Sequence, residues 1–210
     1  MRKMIIAIDG PAASGKGTIG KRIAEYLKLP YLDSGSLYRL VANNIIENNI
    51  DPYDIDNIVK QTREINFSTQ RLLGVRANEV SNIASIISQY QEIRDHLIDY
   101  QRNFATHGAV VDGRDIGTII FPNADFKFYI TASLDERAER RYLQYKIDNI
   151  KIDRNIIKND INNRDQRDIN RKVAPLKCAK DALEIDTTKM KIDDVIDFIV
   201  KYIHKGMKIR

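Results

Sequence analysis

Ile5-Ile-Ala-Ile-Asp-Gly-Pro-Ala-Ala-Ser-Gly-Lys-Gly-Thr18 runs from a short apolar stretch through a glycine-rich turn and into a lysine. Apolar residues that end in such a turn read as a buried strand, and Ile19, Ile23 and Leu27 then recur at helical spacing, which predicts a helix over Lys16 to Leu27. Gly10 to Lys16 fits the pattern G-x-x-x-x-G-K, in which backbone N–H groups wrap phosphates and the lysine reaches the terminal ones. A helix N-terminus aimed at the anion adds its partial positive charge. Strand, turn and helix in this order therefore predict a phosphate cradle inside an α/β fold.

The rest of the chain repeats the strand, loop and helix order. Leu29 to Asp33 reads as a second strand, and a helix follows from near Leu37 with Leu37, Leu40, Val41 and Ile45 on its apolar face. Tyr38 and Arg39 lie at its opening, where spacing fits packing and surface charge as well as ligand contact. Asp51-Pro52 opens a helical segment carrying Ile55, Ile58 and Val59, with the aspartate as cap. Two further stripes, Val80, Ile83, Ala84 and Ile87, then Ile93, Leu97 and Phe104, predict two more helices.

Gly108-Ala-Val-Val-Asp-Gly-Arg-Asp-Ile-Gly117 ends a strand at Asp112 and brackets Arg114 and Asp115 between glycines. Open α/β sheets bind ligands at the strands' carboxyl ends, where an aspartate can hold magnesium through water and an arginine can grip phosphate. An Arg-Asp pair in a tight surface turn fits the same letters. Asp125 to Thr131 alternates as a strand, and Ser133 caps a helix on which Arg137, Arg140 and Arg141 share one side. Lys146 to Asn155 loses periodicity as a hinge would. Beyond it Ile157, Ile161, Arg164, Asp168 and Arg171 follow four, three, four and three apart, an apolar helix face that turns charged. Pro175 ends that helix, Leu183 to Asp186 makes the last strand, and Thr188 to Lys205 reads as a closing amphipathic helix.

Composition narrows the function classes. With 210 residues the chain has room for one sizeable core, and no apolar run approaches the ~20 residues of a membrane span. Mean hydropathy is -0.41, and the lone Cys178 rules out an internal disulfide, so a cytoplasmic enzyme is expected. A net charge of +5 would suit nucleic acid, yet the basic residues alternate with aspartates rather than forming one stripe with aromatics. Small anionic substrates fit that distribution better, so neither nucleic acid nor membrane is expected as a partner.

Five separated motifs resemble one family. Ile8 to Thr18, Leu32-Asp-Ser-Gly-Ser-Leu-Tyr-Arg39, Asp112-Gly-Arg-Asp-Ile-Gly-Thr118 with Phe121-Pro122, Arg164-Asp-Gln-Arg-Asp168 with Arg171, and Ala174-Pro-Leu176 are similar, in order, to the bacterial cytidylate kinases. These are P-loop nucleoside monophosphate kinases that move a phosphoryl group from ATP to CMP or dCMP. Gly17 in place of the usual Ser/Thr after Gly-Lys is a variant associated with such kinases.

The resemblance implies a three-layer fold with a five-stranded parallel sheet of order 2-3-1-4-5, a monophosphate-binding insert at about 63–104 and a helical lid at about 146–164, in a single domain; a monomer is expected. It implies that Gly10, Pro11, Ala12, Ala13, Ser14, Gly15, Lys16, Gly17 and Thr18 hold ATP, joined by Arg137, Arg140 and Arg141 as the lid closes. Ser34, Arg39, Arg114 and Arg171 would surround the CMP phosphate, and Tyr38 would line that site. Ser85, Arg94 and Asp115 would read cytosine, with Arg164 and Asp168 on the ribose. Lys16, Arg114 and Arg171 would act in catalysis, with Mg2+ held by Asp112 through water and Thr18 as a further candidate ligand. Many bacterial members have a longer insert between the positions of Phe67 and Val80, and the short Ser68 to Glu79 stretch departs from them. A kinase for UMP, dTMP or shikimate on the same fold is the alternative, and a P-loop switch or nucleic-acid binder a more distant one.

Overall fold

The computed structural model describes residues 3–67 and 78–209, and the expectation for the short insert falls largely outside them. Five parallel strands, β1 (Ile5–Asp9), β2 (Tyr31–Asp33), β3 (Ala109–Gly113), β4 (Phe126–Thr131) and β5 (Leu183–Asp186), form one sheet in the order β2-β3-β1-β4-β5, as expected. β1 is central, pairing with β3 in the register Ile8 to Asp112 and with β4 in the register Ile8 to Phe128. Because side chains alternate along a strand, Ile6, Ile8, Val110, Phe128 and Ile130 face one side while Ala7, Ala109 and Val111 face the other.

Each face is covered. On the first, α1 (Lys16–Leu27) and α8 (Ile192–Ile209) contribute Ile19, Ile23, Val195, Ile199 and Ile203. On the second, α5 (Gln91–Phe104) brings Ile98 and Phe104 against Val111, Ile116 and Ile120. A further core joins α2 (Ser34–Glu47), α3 (Ile55–Glu64), α4 (Asn78–Ile87) and α5 through Leu37, Val41, Ile45, Ile58, Ala84, Ile87, Ile93 and Leu97. The last helices, α6 (Leu134–Ile147) and α7 (Arg154–Asn170), pack Ala138, Tyr145, Ile157 and Ile161 against Ala12 of the glycine-rich turn.

Element ends differ from expectation where a polar side chain captures the backbone. The helix expected near Leu37 begins at Ser34, because the Asp33 carboxylate accepts from Ser36 N at 3.2 Å and makes the Ser-Gly-Ser turn helical. Asp54, not Asp51, caps α3; the Asp51 side chain closes a turn on Tyr53 N instead. The final helix starts at Ile192 rather than Thr188, since Thr188 N is held by Asp186 at 2.8 Å. Ile116–Ile120 forms a one-turn π-helix, in which Asp115 O accepts from Ile120 N at 3.2 Å.

Gly108 precedes β3 at φ +96°, and a Cβ there would fall 2.8 Å from both the nitrogen and the oxygen of Met4. Gly108→Ala is expected to destabilise the fold by about 1–3 kcal/mol without touching the cleft, measured as a lower midpoint in denaturant unfolding.

Candidate active site

The turn between β1 and α1 is held by close approach. A Cβ on Gly10 would lie 2.0 Å from Ile130 O, so only glycine lets the chain leave β1 across β4. Lys16 enters α1 with its Nζ donating to Pro11 O at 3.0 Å across the mouth of the turn. Burial, the Arg114 guanidinium and Arg164 together pull its ammonium down to about 7. A lysine so held gains by the arrival of an anion.

From this turn a cleft of about 330 Å³ extends over the carboxyl ends of the strands. Among the described residues, eight basic side chains (Lys16, Lys21, Arg39, Arg94, Arg114, Arg141, Arg164 and Arg171) line it against four carboxyl groups (Asp33, Asp112, Asp115 and Asp168). Ser34, Tyr38 and Ser85 also line it, so every residue expected around the acceptor nucleotide is brought to one cavity. Lys16, Asp115 and Arg171 lie on the same side of the molecule.

The floor of the cleft is an ionic network taken out of water. Arg94, 1% exposed, pairs with Asp115 Oδ2 and donates to Ser88 O at 3.0 Å. Arg171 reaches Asp115 Oδ1 at 3.5 Å, Ser88 Oγ at 3.1 Å and Ala174 O at 2.7 Å. Arg114 Nε donates to Asp168 Oδ2 at 2.7 Å. Burial works against the Asp168 charge, but Arg114, Arg164 and Arg171 hold its carboxyl below the usual range. Among the described residues, four buried polar atoms here lack a hydrogen-bond partner: Ser14 Oγ, Tyr38 Oη, Arg164 Nε and Arg171 Nη2. Unmet polar groups gathered in one cleft are what a polar ligand would satisfy.

Asp112 occupies the end of β3 and accepts from Tyr31 Oη at 3.0 Å. Burial and then Asp33 push its carboxyl up to about 7. A hydrated divalent cation would favour the ionised form, so the donor chemistry fits magnesium, which binds through one or two carboxylates, water and substrate phosphates. A Cβ on Gly17 would lie 3.6 Å from Asp112 Oδ2, whereas Thr18, one residue on, is exposed at the cleft's edge.

The three arginines of α6 part company. Arg141 lines the cleft, and Arg140 donates to Ser14 O at 3.3 Å and to Thr187 O at 2.7 Å beside a second, adjoining cavity. Arg137, expected to carry donor-side charge, is instead 8% exposed and absent from the cleft lining. Its guanidinium pairs with Asp165 and donates to Ala12 O at 3.0 Å and Ala132 O at 2.9 Å, while Asp165 accepts from Ala12 N at 2.9 Å. Arg137 thus bolts the turn to α7, a consequence of its pointing inward from α6.

Four polar residues escaped the reading of the sequence. Asp165 falls four after Ile161, so its place on the buried face of α7 was readable in the spacing. Asp33, which pairs with Arg39 at 2.6 Å, carried no such signal. Neither did Arg167, which donates to Ser85 Oγ at 3.1 Å and Asn82 Oδ1 at 2.8 Å and so ties α7 to α4. Asp9 accepts from Ile116 N at 2.8 Å and Gly117 N at 2.7 Å, partners more than a hundred residues away.

The cytidylate kinase family model matches residues 6–205. The chain belongs to the cytidylate kinase family. Among curated relatives, the cytidylate kinase of Acidiphilium cryptum is 42% identical, covering 98% of this chain and 99% of its own length. That of Bartonella tribocorum is 41% identical over 100% and 98%. A crystal structure of an uncharacterized protein from Eubacterium ventriosum matches with a TM-score of 0.58 at 18% identity, covering 97% of this chain and 99% of that one, a likeness of fold alone. The chain is accordingly a nucleotide-using kinase, and among the described residues no helix is long and apolar enough to cross a membrane.

Asp165→Asn is expected to cost about 3–5 kcal/mol, because it strands the buried Arg137 charge. Denaturant unfolding reads this directly; unchanged stability with weakened ATP binding would return Arg137 to the donor site.

Proposed function

We propose that this kinase transfers the terminal phosphoryl group of ATP to CMP and dCMP. The observation that carries the reading is the Arg94, Asp115 and Arg171 network on the floor of a cleft continuous with the phosphate-binding turn. Asp115 Oδ2 is taken by Arg94, but Oδ1 has Arg171 only at 3.5 Å and is free to accept from the cytosine N4 amine. Ser85 and Arg94 supply donors for N3 and O2. Uracil would turn an oxygen toward the same carboxylate, and a buried polar group left unpaired costs ~1–3 kcal/mol.

Ser34, Arg39, Arg114 and Arg171 would grip the acceptor phosphate, Tyr38 would wall its site, and Arg164 and Asp168 would take the ribose. Gly10 to Thr18, with Arg140 and Arg141, would hold the donor. No general base is required, since the acceptor phosphate is itself an anionic nucleophile. What the protein must supply is position and cationic charge between two mutually repelling anions, from Lys16, Arg114 and Arg171. Magnesium, held through water by Asp112, would add charge neutralisation on the donor phosphates. The exposed Thr18 is the weaker candidate ligand. Segment 146–164, which takes in the end of α6, the connection and the first part of α7, would close as a lid and exclude water, and the helices around 63–104 would cover the acceptor. A monomer that binds neither nucleic acid nor membrane completes the reading.

ADP release measured with CMP, dCMP, UMP and AMP in turn should show the cytosine nucleotides preferred. An equal or better rate with UMP would instead favour the UMP kinase alternative. Asp115→Ala is expected to reduce the CMP to UMP ratio of kcat/KM by about tenfold or more while leaving the KM for ATP nearly unchanged. Arg171→Ala should raise the KM for CMP by a similar factor, and unchanged CMP kinetics would remove it from the acceptor site.

A further inference from the structure

We infer that Asp9, at the end of the central strand, is a positioning residue for base selection: it sets the placement of Asp115 by holding the backbone that follows it. The inference rests on the reading of Asp115 as the group that meets cytosine. Asp9 is 5% exposed, and each of its carboxylate oxygens has a separate backbone partner, Oδ1 with Ile116 N at 2.8 Å and Oδ2 with Gly117 N at 2.7 Å. Those two amides open the π turn immediately after Asp115, and Asp115 itself gives that turn no side-chain cap. Buried N–H groups need acceptors, and here both acceptors come from β1 rather than from the turn's own neighbourhood.

The geometry makes a chain of fixed contacts. β1 is paired on both sides, to β3 and β4, so Asp9 Cα is among the least movable points near the cleft. From it two charge-assisted hydrogen bonds run to residues 116 and 117, and Asp115 is thereby held where Arg94 and Arg171 can pair with it. Asp9 does not line the cleft, so it would act only through the segment it holds. The arrangement has a cost. Burial pushes the Asp9 carboxyl up to about 6, and the nearby Asp115 charge adds to that against the two backbone bonds and Lys16. A neutral side chain would meet the two amides with less electrostatic penalty, so filling hydrogen-bond valences does not by itself call for an acid. A bidentate acceptor with no donor of its own does: Asn would turn an NH2 toward one of the two N–H groups. Placement matters because displacement of a recognition group by about 1 Å can cost as much as a hundredfold.

The same contact can be loaded from its other side. A Cβ on Gly117 would lie 3.3 Å from Asp9 Oδ2 and 3.2 Å from Lys127 Cδ, so Gly117→Ala presses on the bond without altering either acid. Steady-state kinetics with CMP and UMP, together with KM for ATP and hydrogen exchange, should be compared for the wild type, Asp9→Asn, Gly117→Ala and Asp115→Asn. In Asp9→Asn we expect the CMP to UMP ratio of kcat/KM to fall about tenfold, with KM for ATP changed less than about threefold and faster amide exchange confined to 114–120. Gly117→Ala should move the ratio in the same direction by a smaller factor. Loss of selectivity in Asp115→Asn but not in Asp9→Asn or Gly117→Ala would overturn the inference, as would equal rises in KM for ATP and CMP. If Asp115→Asn itself kept the wild-type ratio, the reading of Asp115 would fall first, and the inference with it. Should Asp9→Asn not fold, Gly117→Ala alone decides, an unchanged ratio standing against the proposal.

Discussion

Like charges crowded into one cleft repel one another, and the architecture around Lys16 is arranged to make that tolerable. Arg94, Arg114 and Arg171 line one cleft, and each would be costly to bury alone. Asp115 and Asp168 stand between them, one holding Arg94 and Arg171, the other Arg114. The carboxylates are therefore part of the cation cluster. They keep the guanidinium groups charged and aimed while leaving polar valences, such as Arg171 Nη2 and Arg164 Nε, unmet in the cleft.

This compensation reaches back into the scaffold. Asp115 and Arg114 lie between β3 and a π turn whose first amides are held by Asp9, and Asp168 and Arg171 come from the end of α7. α7 is in turn fastened to the phosphate-binding turn by Asp165 and Arg137, and to α4 by Arg167. The glycine-rich turn, the cleft floor and the helix that bridges them form one hydrogen-bonded system. A movement of α7 would be felt at Ala12 and at Ser85 together.

Legibility differed by kind of residue. Strands and helices were readable because burial imposes a period: Ile6 and Ile8 opposite Ala7, Ile19 and Ile23 one turn apart, Ile157 and Ile161 on α7. The phosphate-binding turn was readable because close backbone approach admits few residues, as the Gly10 contact with Ile130 O shows. Helix starts were less so: Asp33 captures Ser36 N ahead of the helix's first apolar residue, and Asp54 takes the Asn57 N–H where Asp51, three residues earlier, was an equal candidate. The place of Arg137 was not legible for a related reason. Helical spacing groups it with Arg140 and Arg141, but a full turn of separation does not say which of three neighbours points inward.

The order of motifs along the chain, each an apolar strand running into glycines and acids, determined by itself that this is a parallel α/β kinase with a phosphate cradle. Local spacing suffices for the α/β fold and the cradle, because strand period, turn sterics and helix period act over a few residues; the kinase reading came from the resemblance of the motifs, in order, to one family. Pairing was decided only by the folded chain: Asp9 with Ile116 and Gly117, Arg137 with Asp165, Arg94 with Asp115, Arg167 with Ser85. Those partners lie between 21 and 108 residues apart in the sequence. Which charge meets which depends on the sheet bringing distant strand ends to one edge, and on burial making every unpaired choice too costly to keep.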